Sequence, residues 1–212
     1  MPDLELLRAR LEALAGRDWN LPAIEARLRR LMDEGMGERP LPRAEVVARK
    51  QEILDRVQRR AEEYCYLMRS CAKGSATALL EEFGLGNTEC IKALEAFPGL
   101  GMTGEACGPV SGGLMALGLH FSGDDIAEAA GVRAYSAARE FLKRFNEVFG
   151  SLRCRDIQGI LLGRYYDPLG GTRNLEEFNE AGAREKCAVA PGLGARIAAE
   201  IIIESMEKET SS

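Results

Sequence analysis

Six cysteines, Cys65, Cys71, Cys90, Cys107, Cys154 and Cys187, are the residues of this chain best suited to chemistry, and Cys107 has the most telling surroundings. It lies in Gly99-Leu-Gly-Met-Thr-Gly-Glu-Ala-Cys-Gly-Pro-Val-Ser-Gly-Gly113, a glycine-rich turn that runs into the apolar segment Leu114 to Leu119. A sulfur at the start of a helix meets unpaired backbone N–H groups and the positive end of the macrodipole, which favour thiolate over thiol. Cys154 and Cys187 share this placement. Ser151 is a candidate cap just before Cys154, which Arg153 and Arg155 flank, and Cys187 follows Arg184 and Lys186 ahead of a final helix. Thiolate character is therefore expected at all three, and with it redox or metal chemistry. Cys71, in Arg69-Ser-Cys-Ala-Lys-Gly-Ser75, is expected inside a helix, where Ala72, Gly74, Ser75 and Ala76 let a second helix approach closely.

No two cysteines form a Cys-x-x-Cys pair, so the zinc-ribbon, ferredoxin and c-type haem spacings are absent. Any shared site must be assembled from separate helices. Read alone, the residues leave inert buried thiols, metal ligation and redox pairing all open. A literal Gly-x-Gly-x-x-Gly at Gly99, Gly101 and Gly104, with Asp124 and Asp125 further on, mimics a dinucleotide fingerprint. It is rejected, because Leu94-Glu-Ala-Phe-Pro98 is no β-branched strand and its proline blocks a ladder position. Gly108, Gly112 and Gly113 are read instead as places where a helix or a bound group comes close to the backbone. His120 is the only histidine, which leaves little room for a two-histidine metal site or a Cys-His protease; a partly buried helix-end residue is expected. Tyr165-Tyr166-Asp167-Pro168 reads as a structured turn.

The elements that must position these thiols are helical. With 46% hydrophobic and 29% charged residues and few β-branched runs, the 212-residue chain reads as all-α, a compact helical bundle with an N-terminal helical extension. Leu4, Leu7, Leu11 and Leu14, then Leu21, Ile24, Leu28 and Leu31, recur at helical spacing. After a break from Gly35 to Pro42, a longer helix is expected from Arg43 toward Tyr64 and beyond. Residues 1–62 are assigned to the extension, for packing, partner docking or homo-oligomerisation, and 63–212 to a domain holding every cysteine. Within that domain the pattern predicts one helix over Glu63 to Phe83, others opening at Asn87 or Thr88, at Pro109 and at Ser122-Gly-Asp-Asp125, and a longer one over Val132 to Phe149. Tyr135, Phe141, Leu142, Phe145 and Val148 form the apolar face of that longer helix. Beyond the loop Gly163 to Asn174 come two final helices, the last from Pro191 to Glu207.

The formal charge of -5 argues against a nucleic-acid partner. Charges throughout the first thirty residues argue against export or membrane insertion, so a reducing cytoplasm is expected.

Ser70-Cys71-Ala72, the block from Gly101 to Leu119, Phe145-Asn-Glu-Val-Phe-Gly-Ser-Leu-Arg-Cys-Arg155 and Glu185-Lys-Cys187 together resemble the C-GCAxxG-C-C family of redox proteins. The likeness covers residues 64 to 207, with Ser70 and Ser75 standing where the motif has glycine. The family in turn resembles a domain of split-Soret cytochromes. The resemblance carries Cys71, Cys107, Cys154 and Cys187 over as the family cysteines and leaves Cys65 and Cys90 outside them, as spare thiols should a cluster be bound. It further implies electron transfer through an iron-sulfur cluster of the [2Fe-2S] type, with a metal-free thiol/disulfide protein or structural zinc as alternatives. The expected partner is a redox protein or an oxidoreductase subunit, and the chain itself could be an oxidoreductase.

Overall fold

The computed structural model describes residues 1–36, 41–123, 125, 127 and 131–210. Helix α1 (Leu4–Leu14) begins at Asp3, whose carboxylate accepts from the Leu6 N–H, and α2 (Leu21–Glu34) at Asn20, whose side chain accepts from Ala23. Positions 37–40 of the expected break lie outside the described residues. The long helix expected from Arg43 is two, α3 (Arg43–Ala48) and α4 (Lys50–Met68), separated at Arg49.

The helix expected over Glu63 to Phe83 is also broken. Arg69 adopts the left-handed conformation, with φ 53°, and Ser70 caps α5 (Cys71–Phe83) by accepting from the Lys73 N–H. The chain doubles back there, so α5 lies against α4. No glycine or proline marks the stop, which is why periodicity alone runs through it.

Asn87 caps α6 (Thr88–Ala93), and a distorted turn, α7 (Gly99–Met102), leads to α8 (Gly108–Phe121). Of the helix expected to open at Ser122-Gly-Asp-Asp125, residues 124, 126 and 128–130 lie outside the described residues. Helix α9 (Val132–Phe149) ends at left-handed Gly150 as expected, and α10 (Cys154–Leu162) follows. Its cap position is Arg153; Ser151 accepts from the Arg153 N–H and donates to Asp156. Three helices rather than two close the chain: α11 (Thr172–Glu180), the single turn α12 (Ala183–Lys186) and α13 (Val189–Thr210).

The architecture is all-α; among the described residues the only β pairing is an isolated antiparallel bridge between Ala106 and Arg153. Helix α13 forms the centre, packed on α4, α5, α8 and α9, with Ala195, Ala198, Ala199, Ile202 and Ile203 almost fully buried. The inward face of α9 is Ala137, Phe141, Phe145 and Phe149, whereas Tyr135, expected on that face, is 64% exposed. Leu7, Leu14, Trp19 and Ile24 belong to the same apolar cluster as Ile202, and residue 62 falls inside α4. No helix among the described residues is long and apolar enough to cross a membrane.

His120 is half-buried in the last turn of α8, 3.5 Å from the Ser205 hydroxyl. Burial holds its pKa below the ordinary 6.5, so the fold prefers the neutral ring. The stability this gives is complete above pH 6.5 and is lost as pH falls through the lower folded value. The expected result is a fall in Tm between about pH 7.5 and 5.5 that is smaller in His120→Gln, with the lone imidazole titrating below its free value by NMR. Identical pH profiles for the two proteins would refute it.

Candidate functional site

Each of the four motif cysteines stands at a helix boundary. Cys71 is the first residue of α5, Cys107 the cap position of α8, and Cys154 the first residue of α10; Cys187 lies between α12 and α13. For Cys71 this corrects the expected position inside a helix, because the break at Arg69 creates a new N-terminus. Backbone bonds around the Ala106–Arg153 bridge fasten two of the helix starts together: Cys107 N donates to Leu152 O at 2.8 Å and Cys154 N to Glu105 O at 2.6 Å. Cys71 joins them because α8 presses onto α5 at Gly108.

A Cβ at Gly108 would stand 2.3 Å from Cys71 Sγ and 2.6 Å from Ala72 N. Exchanging glycine for alanine in a helix ordinarily adds about 1 kcal/mol of stability. Here the sign reverses: Gly108→Ala is expected to lose about 2 kcal/mol, read from the urea midpoint, because the backbone of α5 must give way. A stabilised variant would contradict this packing.

The result is one cavity of about 380 Å³ into which Cys71, Cys107, Cys154 and Cys187 all face. Cys65 lines it too, which the sequence reading did not assign to the site. The only signal for Cys65 is its closeness in sequence to Cys71, and it becomes informative only once the break at Arg69 is known. Cys90 lies elsewhere, against Gly86 and the side of the core. Apolar Pro98, Met102, Ile157, Leu161 and Phe178 form much of the remaining wall, with Arg69 and Arg184 as its cations. Among the described residues, the non-glycine positions with positive φ are Arg69, Leu100 and Met102; the first and last line the cavity and Leu100 lies in the α7 turn. Backbone strain is thus concentrated at this site.

The thiols do not share one electrostatic environment. Cys154 is lowered to about 7, chiefly by a hydrogen bond from Cys107, then by Gln158 and by the charge of Arg155. Gln158, one turn along α10, donates to Cys154 Sγ at 3.5 Å and accepts from the Tyr166 N–H at 3.0 Å, so the expected Tyr165–Pro168 turn braces the site. Tyr165 donates to Met102 O on the other side. Cys107 is raised by its hydrogen bonds to Cys154 and Cys71 and by burial, and Cys187 is raised by burial. For these two, enclosure outweighs the helix-start effect expected from sequence. Arg155 and Lys186 favour thiolate at Cys154 and Cys187, but Arg153 is turned to Glu105 at 2.9 Å.

Among the described residues the cavity wall carries five thiols and no His, Asp or Glu, a donor set that suits iron-sulfur or zinc. Among the described residues no three His, Cys, Asp or Glu side chains are already close enough to grip an ion, so the sulfurs share a cavity without forming a coordination shell.

An all-α protein with cysteines from separate helix boundaries facing one cavity defines the class. The family pattern described as "Putative redox-active protein (C_GCAxxG_C_C)" matches residues 69–201, and the chain belongs to that family. No curated protein and no solved structure matches the chain.

Proposed function

We propose that this is an electron-transfer protein in which Cys71, Cys107, Cys154 and Cys187 hold an iron-sulfur cluster, of the [2Fe-2S] type, in the cysteine-lined cavity. The observation that carries the reading is the meeting in one cavity of four thiols that the sequence scatters over separate helices. When bound, such a cluster supplies one-electron transfer. Cys71, Cys107 and Cys154 stand at the positive ends of helix macrodipoles, and Arg155 and Lys186 add positive charge that offsets the thiolates. Pro98, Ile157, Leu161 and Phe178 give the sulfurs an apolar wall, and electrons would pass to a redox protein or an oxidoreductase subunit.

One observation favours a second reading. Cys107 is hydrogen-bonded to both Cys71 and Cys154, an arrangement that also suits a metal-free dithiol/disulfide pair. Anaerobic absorption with iron, zinc and acid-labile sulfide content separates the readings. Visible bands with matching iron and sulfide are the expected result. Zinc without colour would point to a structural site, and a metal-free protein whose thiol count falls by two on oxidation would replace the cluster with a disulfide.

A further inference from the structure

The cavity has one thiol more than a four-sulfur site needs. Family-matched residues begin at 69, so Cys65 lies just outside them. It is 5% exposed, on the last turns of α4, and the reversal at Arg69 and Ser70 brings it to the same wall as Cys71. Gly74 of α5 holds it there: a Cβ at Gly74 would fall 2.7 to 2.8 Å from Cys65 N, Cα and Cβ, so α5 rests directly on the Cys65 backbone. The thiols close enough to act on it electrostatically are Cys71 and Cys187. Cys107 and Cys154 are fastened to each other's segments through the Ala106–Arg153 bridge.

We infer that Cys65 is a reserve ligand, able to replace Cys71 or Cys187 on the metal centre but not Cys107 or Cys154. The inference rests on the cluster reading above. Replacement is a ligand exchange in which the Cys65 S–H bond breaks, its proton passes to solvent, and the sulfur bonds to iron at the position the missing sulfur left. No electron is transferred. A protein whose cavity must retain its metal after one thiol is oxidised gains from such a neighbour.

The test is iron and acid-labile sulfide per chain, with visible circular dichroism, in anaerobically purified alanine variants whose far-UV spectra show the wild-type helix content. Cys187→Ala and Cys71→Ala are expected to keep roughly half or more of the wild-type iron with altered visible bands, whereas Cys107→Ala and Cys154→Ala fall about tenfold or more. Adding Cys65→Ala to Cys187→Ala should remove what remained. Cys65→Val in that background, which fills the buried site with apolar atoms, must do the same should the alanine pair fail to fold. Cys65→Ala alone should match wild type. Wild-type protein with iron, but Cys187→Ala as empty as the double variant, overturns the reserve role alone; wild-type protein without iron overturns the cluster reading and this inference together.

Discussion

The Cys107→Ala protein is expected to leave anaerobic purification with its helices intact and about a tenth or less of the wild-type iron and acid-labile sulfide. Cys107 is the central thiol of the cavity, hydrogen-bonded to Cys71 on α5 and to Cys154 on α10. Its backbone is among the best fixed in the site, through the bond from its N–H to Leu152 O at 2.8 Å and the adjoining bridge. The thiols that act on Cys65 electrostatically are Cys71 and Cys187, so Cys65 is not expected to stand in for Cys107. The fold itself should tolerate the change. Cysteine to alanine removes one sulfur from a wall that already faces a cavity, a loss on the order of 1 kcal/mol. Retention of full colour and iron by a folded Cys107→Ala protein would remove this residue from the ligand set and with it the four-cysteine site.

The largest effect on stability is expected from Glu62→Ala, a loss of about 3 kcal/mol and a fall in Tm on the order of 10 °C. Glu62 is fully buried in α4, yet it carries a carboxylate. Arg10 of α1 donates to it through Nε at 2.7 Å and also through Nη2, and Arg17 donates through Nη1 at 2.9 Å. The approach of α13 is shaped to it as well, since a Cβ at Gly192 would lie 2.4 Å from Glu62 Oε1. Alanine would leave a void beneath Gly192, strip the Arg10 guanidinium, at 24% side-chain exposure, of its anion, and leave Arg17 with Glu63 alone, at 2.9 Å. Because both arginines come from the N-terminal segment, this segment should loosen first, seen as earlier proteolysis between α1 and α2. A loss below about 1 kcal/mol would show that the network behaves like a surface ion pair.

These two cases show different degrees of legibility. Capping and stop chemistry is local, so Asn87 and Gly150 could be read as helix ends from residue type alone, and they act as such. Glu62 could not be read in this way. A glutamate in a charged helix looks like a solvated residue until Arg10, Arg17 and Gly192 are brought around it from distant parts of the chain. Tyr135 failed in the opposite sense: its apolar ring fits the face of α9 by periodicity but lies in the first turn, beyond the reach of the core that covers Phe141 to Phe149.

The amino-acid sequence by itself determined the helical class, the helix starts at Cys107 and Cys154, and the family, because each depends on contacts within a few residues or on a motif. Only the tertiary structure decided that α4 ends at Met68, that Cys71 therefore begins a helix, and that Cys65 enters the cavity while Cys90 stays outside it. The left-handed turn at Arg69 carries no glycine to announce it and is held by the packing of α5 between α4 and α8. The ionisation of the thiols was settled at the same level. A helix start favours thiolate wherever it occurs, but enclosure opposes it, and how deeply each sulfur is enclosed depends on helices far away in the chain.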